Sequence, residues 1–124
     1  MALLSAEGSP YVKVGGLADV VGALPGALAE LGMRVTVILP AYGAIDRDRH
    51  GVRGLREGLA VLLGSRSVPF SVLEARGPAP GVRVLLVEQA EFFGREGVYV
   101  DPETGKEYTD TAERFVFLDR KSVV

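Results

Sequence analysis

Apolar positions along this chain alternate between unbroken runs and spacings of three and four, and each change of period marks an element. "MALLS", residues 1–5, is short and apolar, as a buried strand is. "AEGSPYVKVGG" follows as a loop, with Gly8, Pro10, Gly15 and Gly16 as its breakers. From there Leu17, Val20, Val21, Leu24, Leu28 and Leu31 define one face of a helix. Pro25 lies inside the pattern and removes the bond to the carbonyl of Val21, so a kink or restart is expected there. Gly32 closes the helix as a carboxyl-terminal cap. "RVTVILP", residues 34–40, is rich in β-branched residues and reads as a strand buried on both faces. Strand, helix and strand make a βαβ unit with parallel strands and a right-handed crossover.

The middle of the chain is polar and glycine-broken. Residues 41–58, "AYGAIDRDRHGVRGLREG", read as a surface loop, and the run Asp46, Arg47, Asp48, Arg49 as its solvated face. Three short strands follow, "LAVLLGS", "SVPFSVLEAR" and "VRVLLVEQ", whose brief connections favour antiparallel pairing. "FFGREGVYVDPETGKEY" is a second long loop with a turn at "DPETG". Thr109 or Asp110 then caps a last helix, with Ala112, Phe115, Val116 and Leu118 as its apolar face. The expected fold is a single α/β domain over residues 1–124, with a partial Rossmann-like sheet of mixed parallel and antiparallel strands. No internal repeat is present.

Composition narrows the function. The chain has 124 residues, 48% of them hydrophobic, enough for a core. A net charge of -2 argues against nucleic-acid or anionic-membrane partners. No cysteine and a single histidine, His50, leave no thiolate or multi-histidine metal site; no metal or cofactor is expected. His50 reads as a solvated loop residue. The opening apolar run is too short for a signal peptide, and no run reaches about eighteen residues, so a soluble cytoplasmic domain is expected.

The junction "KVGG" before the first long helix, residues 13–16, admits two readings. A helix start offers free N–H groups and partial positive charge, two glycines allow close approach, and Lys13 adds a full charge, as a phosphate cradle requires. The loop also leaves the carboxyl end of a strand, where open α/β sheets bind ligands. Yet it matches neither standard phosphate-loop pattern, and Gly-Gly also serves as a plain turn. Asp19, in the first helical turn, complements the helix dipole in either case.

The stretch "KVGGLADVVGALPGALAELGMRVTVILPAYG" resembles the amino-terminal signature of bacterial glycogen synthases and plant starch synthases, retaining glucosyltransferases of the two-domain glycosyltransferase-B fold. Glu7, Pro10, Lys13, Gly15, Gly16, Leu17, Ala18, Asp19 and Val20 fall in register with the family pattern, and Ala6 stands where serine is usual. "FFGREGVYVDPETGKEYTDTAERFVFL" is similar to a second family block; Gly94 replaces its aspartate and Thr111 its asparagine. The resemblance implies that Lys13 and Gly16 contact the phosphates of ADP-glucose, with Gly15 permitting the turn. It implies donor or acceptor contacts for Asp19 and places Tyr99 near the donor.

The family's later histidine motif and its second domain, with the arginine, lysine and glutamate that grip the donor, are not in this sequence, and the tail "LDRKSVV" departs from the family pattern. The chain therefore reads as the first portion of an amino-terminal domain carrying half of a donor site. Expected partners are ADP-glucose or ADP, bound weakly, with α-glucan as a further candidate. No glucosyl transfer is expected from this chain alone. A non-catalytic nucleotide-binding module and a structural or interaction remnant are the alternatives. Two helices for about five strands leave an apolar face or an edge uncovered, so a homo-oligomer is expected, with "FVFLDRKSVV" as part of the contact.

Overall fold

The computed structural model of the protein describes residues 1–122. Five strands form one sheet in the order β1-β2-β5-β4-β3. β1 (Ala2–Leu4), β2 (Val35–Pro40) and β5 (Val82–Glu88) run parallel, and β4 (Arg66–Ala75) and β3 (Arg53–Leu63) continue the sheet antiparallel. The expected mixed sheet is present.

One face of the parallel part is dry. Val35, Val37 and Leu39 stand beside their register partners Val82, Val84 and Leu86, and all six are buried. The next row on that face is Leu73 and Ala75 of β4, also buried. Alternate positions face the other way, where Thr36 and Ile38 are only half-buried. β2 is thus fully buried on one face rather than on two. Arg83, Glu74 and Arg53 sit in neighbouring strands on that second face and form a row of ion pairs. The exposed part of this face is therefore charged rather than apolar, while β1 and β3 are the two edges of the sheet, the other of the expected alternatives.

α1 (Gly16–Glu30) packs on β2 and β5 and is a single helix; it does not restart at Pro25, whose ring is buried. Its carboxyl end is a paired cap: Gly32, at φ +88°, donates to the Ala29 carbonyl, and Met33 donates to that of Leu28. The face it turns inward is not the expected one. Ala18 and Pro25 are buried and Val21, Leu28 and Ala29 pack beside them, while Leu17, Val20, Leu24 and Leu31 are exposed. Small residues decide this. A Cβ at Gly22 would come within 3.0 Å of Ser9, so the helix lies close against the preceding loop along its narrow side.

Two further expectations need correction. Residues 53–58 belong to β3, not to a loop. β3 is an edge strand with two register shifts, and its exposed side chains show no alternation, so backbone pairing alone defines its start. α2 (Ala90–Phe93) is a one-turn helix, begun by the Gln89 side chain accepting from the Phe92 N–H at 3.1 Å. α3 (Thr111–Ser122) packs against β1 and β3. Its buried face is Arg114, Phe117 and Leu118; Ala112 and Val116 are exposed. Phe117 packs among Phe70, Phe92 and Phe93. Residues 123–124 of the tail lie outside the described residues.

Candidate functional site

The loop from β1 to α1 leaves the carboxyl end of β1 and carries Lys13 and Gly15, and Gly16 is the first residue of α1. A buried carboxylate shapes it. Glu7 is 2% exposed, and its Oε1 accepts from the N–H groups of Gly15 at 3.0 Å and Ala18 at 3.1 Å. Gly15 is the N-cap and has no capping side chain of its own, so Glu7 satisfies the helix start from outside. The Ser5 hydroxyl donates to the Glu7 carbonyl at 2.7 Å and fixes the turn below.

Neither Gly15 nor Gly16 has a positive φ, so the turn itself does not demand glycine. A Cβ on Gly16 would meet nothing within 4 Å, and one on Gly15 only Glu7 Oε1 at 4.0 Å. The pair leaves bare backbone open to solvent at the helix start. Lys13 Nζ sits 2.9 Å from Asp19 Oδ1, with both side chains more than half exposed. Such a pair contributes about 0–1 kcal/mol, so Lys13 is free to exchange Asp19 for another anion.

Lys13 lines a cleft of about 410 Å³ together with Tyr11, Val12, Glu96, Tyr99 and Val100. The structure thus brings Lys13 and Tyr99 to one cleft; Gly15, Gly16 and Asp19 stand outside its lining. The Tyr99 pKa is pushed up to about 12, first by burial, then by the negative charge of Glu7 and a hydrogen bond to it. His50 is not simply solvated: its ring tilts against that of Tyr11, with centroids 4.8 Å apart. A second cleft of about 400 Å³, crossed by the Arg47–Glu88 ion pair, holds none of the expected site residues. That pair also ties one member of the Asp46–Arg49 run to β5.

Arg114 supports the Tyr99 wall. It is fully buried; Nε donates to the Phe92 carbonyl at 2.6 Å and Nη1 to that of Val98 at 2.9 Å. Its guanidinium lies over Phe93, Tyr108 and Phe115. Burial pulls its pKa below the ordinary value. Arg95 and Asp110 close the same loop with two bonds at 2.7 and 2.6 Å. Gly97 is required there, since a Cβ would lie 1.9 Å from the Val100 carbonyl oxygen. Sequence reasoning gave Glu7 and Arg114 no role. The spacing of Arg114 to Phe117 and Leu118, three and four, was the available signal for its burial.

Among the described residues no group of three or more His, Cys, Asp or Glu side chains is placed to hold a metal ion, and no helix is long and apolar enough to cross a membrane.

The mixed sheet, with its loop-borne cleft at the carboxyl end of β1, is of the glycosyltransferase-B type. It superposes on the catalytic domain of starch synthase IV from Arabidopsis thaliana, solved bound to ADP and acarbose, with a TM-score of 0.81 and 28% identity, over 98% of this chain and 24% of that one. The chain belongs to the starch synthase catalytic domain family, whose model it matches over residues 1–123. It is 44% identical over 121 residues to the glycogen synthase of Anaeromyxobacter sp. (strain K) and 39% identical over 122 residues to glycogen synthase 1 of Geobacter sulfurreducens. It spans 24% of the length of each of these relatives and 97% and 98% of its own.

Proposed function

We propose that this chain forms the amino-terminal part of an ADP-glucose-dependent glycogen or starch synthase and contributes half of the donor site. Lys13 and Gly16 receive the diphosphate, Gly15 keeps the backbone bare beside them, Tyr99 closes the opposite wall, and Asp19 meets donor or acceptor hydroxyls. The observation that carries this reading is the joint placement of Lys13 and Tyr99 on one cleft beside the open helix start. The retaining transfer builds negative charge on the leaving diphosphate as the glucosyl bond breaks, and Lys13 with the helix start neutralises it. Half a site without its facing domain binds ADP at millimolar strength, about -4 kcal/mol. Calorimetry of the 124-residue polypeptide with ADP tests this. Lys13→Met is expected to weaken binding about fivefold, the loss of one charge-assisted contact. Equal affinity in the variant would remove Lys13 from the site. The same polypeptide incubated with ADP-glucose and glycogen is expected to transfer no glucose.

The reading extends to assembly. Leu17, Val20, Leu24 and Leu31 leave an apolar stripe along α1, exposed by 49%, 57%, 42% and 79%. Stripes of this kind mark contact surfaces. A second copy of the chain, paired along α1, is the proposed cover for the isolated polypeptide, and α-glucan is the proposed acceptor of the whole enzyme.

A further inference from the structure

We propose that His50 is a positioning residue of the Lys13 cleft: its ring and its backbone together hold Tyr11 in place as the wall beside Lys13. The inference rests on the donor-site reading above for its purpose, but not for its geometry.

Tyr11 lines the cleft that also holds Lys13 and Tyr99, and it is 8% exposed. It stands in the loop between β1 and α1, and two contacts from elsewhere in the chain hold its side chain. The hydroxyl donates to the Arg76 carbonyl, 65 residues on. The ring meets the His50 ring at a tilt of 58° with centroids 4.8 Å apart, close enough for the two rings to attract. The two contacts form one junction, because the Arg76 N–H donates to the His50 carbonyl at 2.7 Å. His50 thus reaches Tyr11 twice, directly by its ring and through Arg76 by its backbone. The turn that carries His50 is wound on Asp46. The Asp46 carbonyl accepts from the His50 N–H at 3.2 Å, and its carboxylate accepts from the Arg49 N–H at 3.0 Å. Gly51 follows at φ +60°, and a Cβ there would come within 3.0 Å of the Arg76 guanidinium, so the turn lies close against Arg76.

A loop contact that only added stability would leave the cleft as it is. His50→Ala and His50→Phe separate the cases, since the second keeps a ring. In tyrosine-ring spectra of the polypeptide, the Tyr11 signals are expected to move in His50→Ala and to return most of the way in His50→Phe. ADP affinity, read by calorimetry, is expected to fall about threefold in His50→Ala and to recover in His50→Phe, within the worth of one aromatic pair. A third measurement uses the unsubstituted protein. Imidazole changes charge in the neutral range, and His50 is the only histidine of the chain. The charged groups on the elements that meet at its ring are the Asp46–Arg49 run of its own loop, Arg76 just past β4, and Glu7 and Lys13 of the β1–α1 loop. The Tyr11 ring signals are expected to follow a neutral-range titration that His50→Phe abolishes. Tyr11 signals unmoved in His50→Ala, equally displaced in His50→Phe, or moved with no loss of ADP affinity would each overturn the proposal. If His50→Ala does not fold, the titration decides, and the absence of a neutral-range transition at Tyr11 overturns it. Failure of the unsubstituted protein to bind ADP would refute the donor-site reading, and the Tyr11 signals would still decide whether His50 positions that wall.

Discussion

Arg114 and Glu7 are charged side chains with almost no exposure, and backbone groups rather than opposite charges hold each of them. Arg114 supplies donors to two carbonyls of the segment that carries Tyr99, and removing it strands both acceptors. Arg114→Met is expected to cost about 2–3 kcal/mol in urea unfolding, the range for buried acceptors losing a charged donor. A loss under half of that would mean the carbonyls find other donors. The Arg95–Asp110 pair offers a pH test. The Arg95 hydrogen bonds hold the Asp110 carboxyl below its ordinary 3.8, so the pair's contribution is complete above that pH and lost as pH falls through the lowered value. Asp110→Asn is expected to be less stable than the unsubstituted protein at pH 6, with the gap closing toward pH 2 to about zero. A gap independent of pH would contradict the pairing. Neither role was legible in the sequence, because the partners are main-chain atoms 8 to 22 residues away.

At the scale of elements, what the sequence spelled out were β1, β2, the three later strands' antiparallel run and both long helices. These rest on unbroken apolar runs, helical spacing and glycine caps, which are local signals. What it concealed was set by contact. The inward face of α1 follows from the smallness of Ala18 and Gly22, not from the largest apolar residues. The first residues of β3 pair through backbone alone. The glycine pair gives an element-scale prediction that separates turn from cradle. Gly16→Ala meets no steric obstacle and restricts the unfolded chain, so stability is expected to rise by about 0.4–1 kcal/mol. The added methyl group stands where a phosphate would approach, so ADP binding is expected to fall. Thermal unfolding and calorimetry on the one variant read both. A loss of stability would show that the turn needs glycine after all.

The whole molecule is a sheet whose exposed side is partly neutralised by charge and whose apolar excess has moved to α1. The ion-paired row Arg53–Glu74–Arg83 keeps one sheet face wet, and the long edge strand β3 is bulged and bears arginines, which guards it against edge pairing. The helix stripe has no such protection. Light scattering is expected to find dimers of the polypeptide, and Val20→Asp with Leu24→Asp to give monomers of unchanged fold, because both positions are exposed. A monomer across a wide concentration range would rule out pairing along α1.

The central claim is that the Lys13–Gly16 helix start and Tyr99 bind one diphosphate together. Amide and tyrosine signals followed during titration with ADP test it most directly. The account predicts that Lys13, Gly15, Gly16, Leu17 and Tyr99 shift along one binding curve with a millimolar midpoint, about -4 kcal/mol, while the Arg47–Glu88 cleft stays still. Shifts confined to that second cleft, or Gly16 and Tyr99 moving with unrelated midpoints, would contradict it.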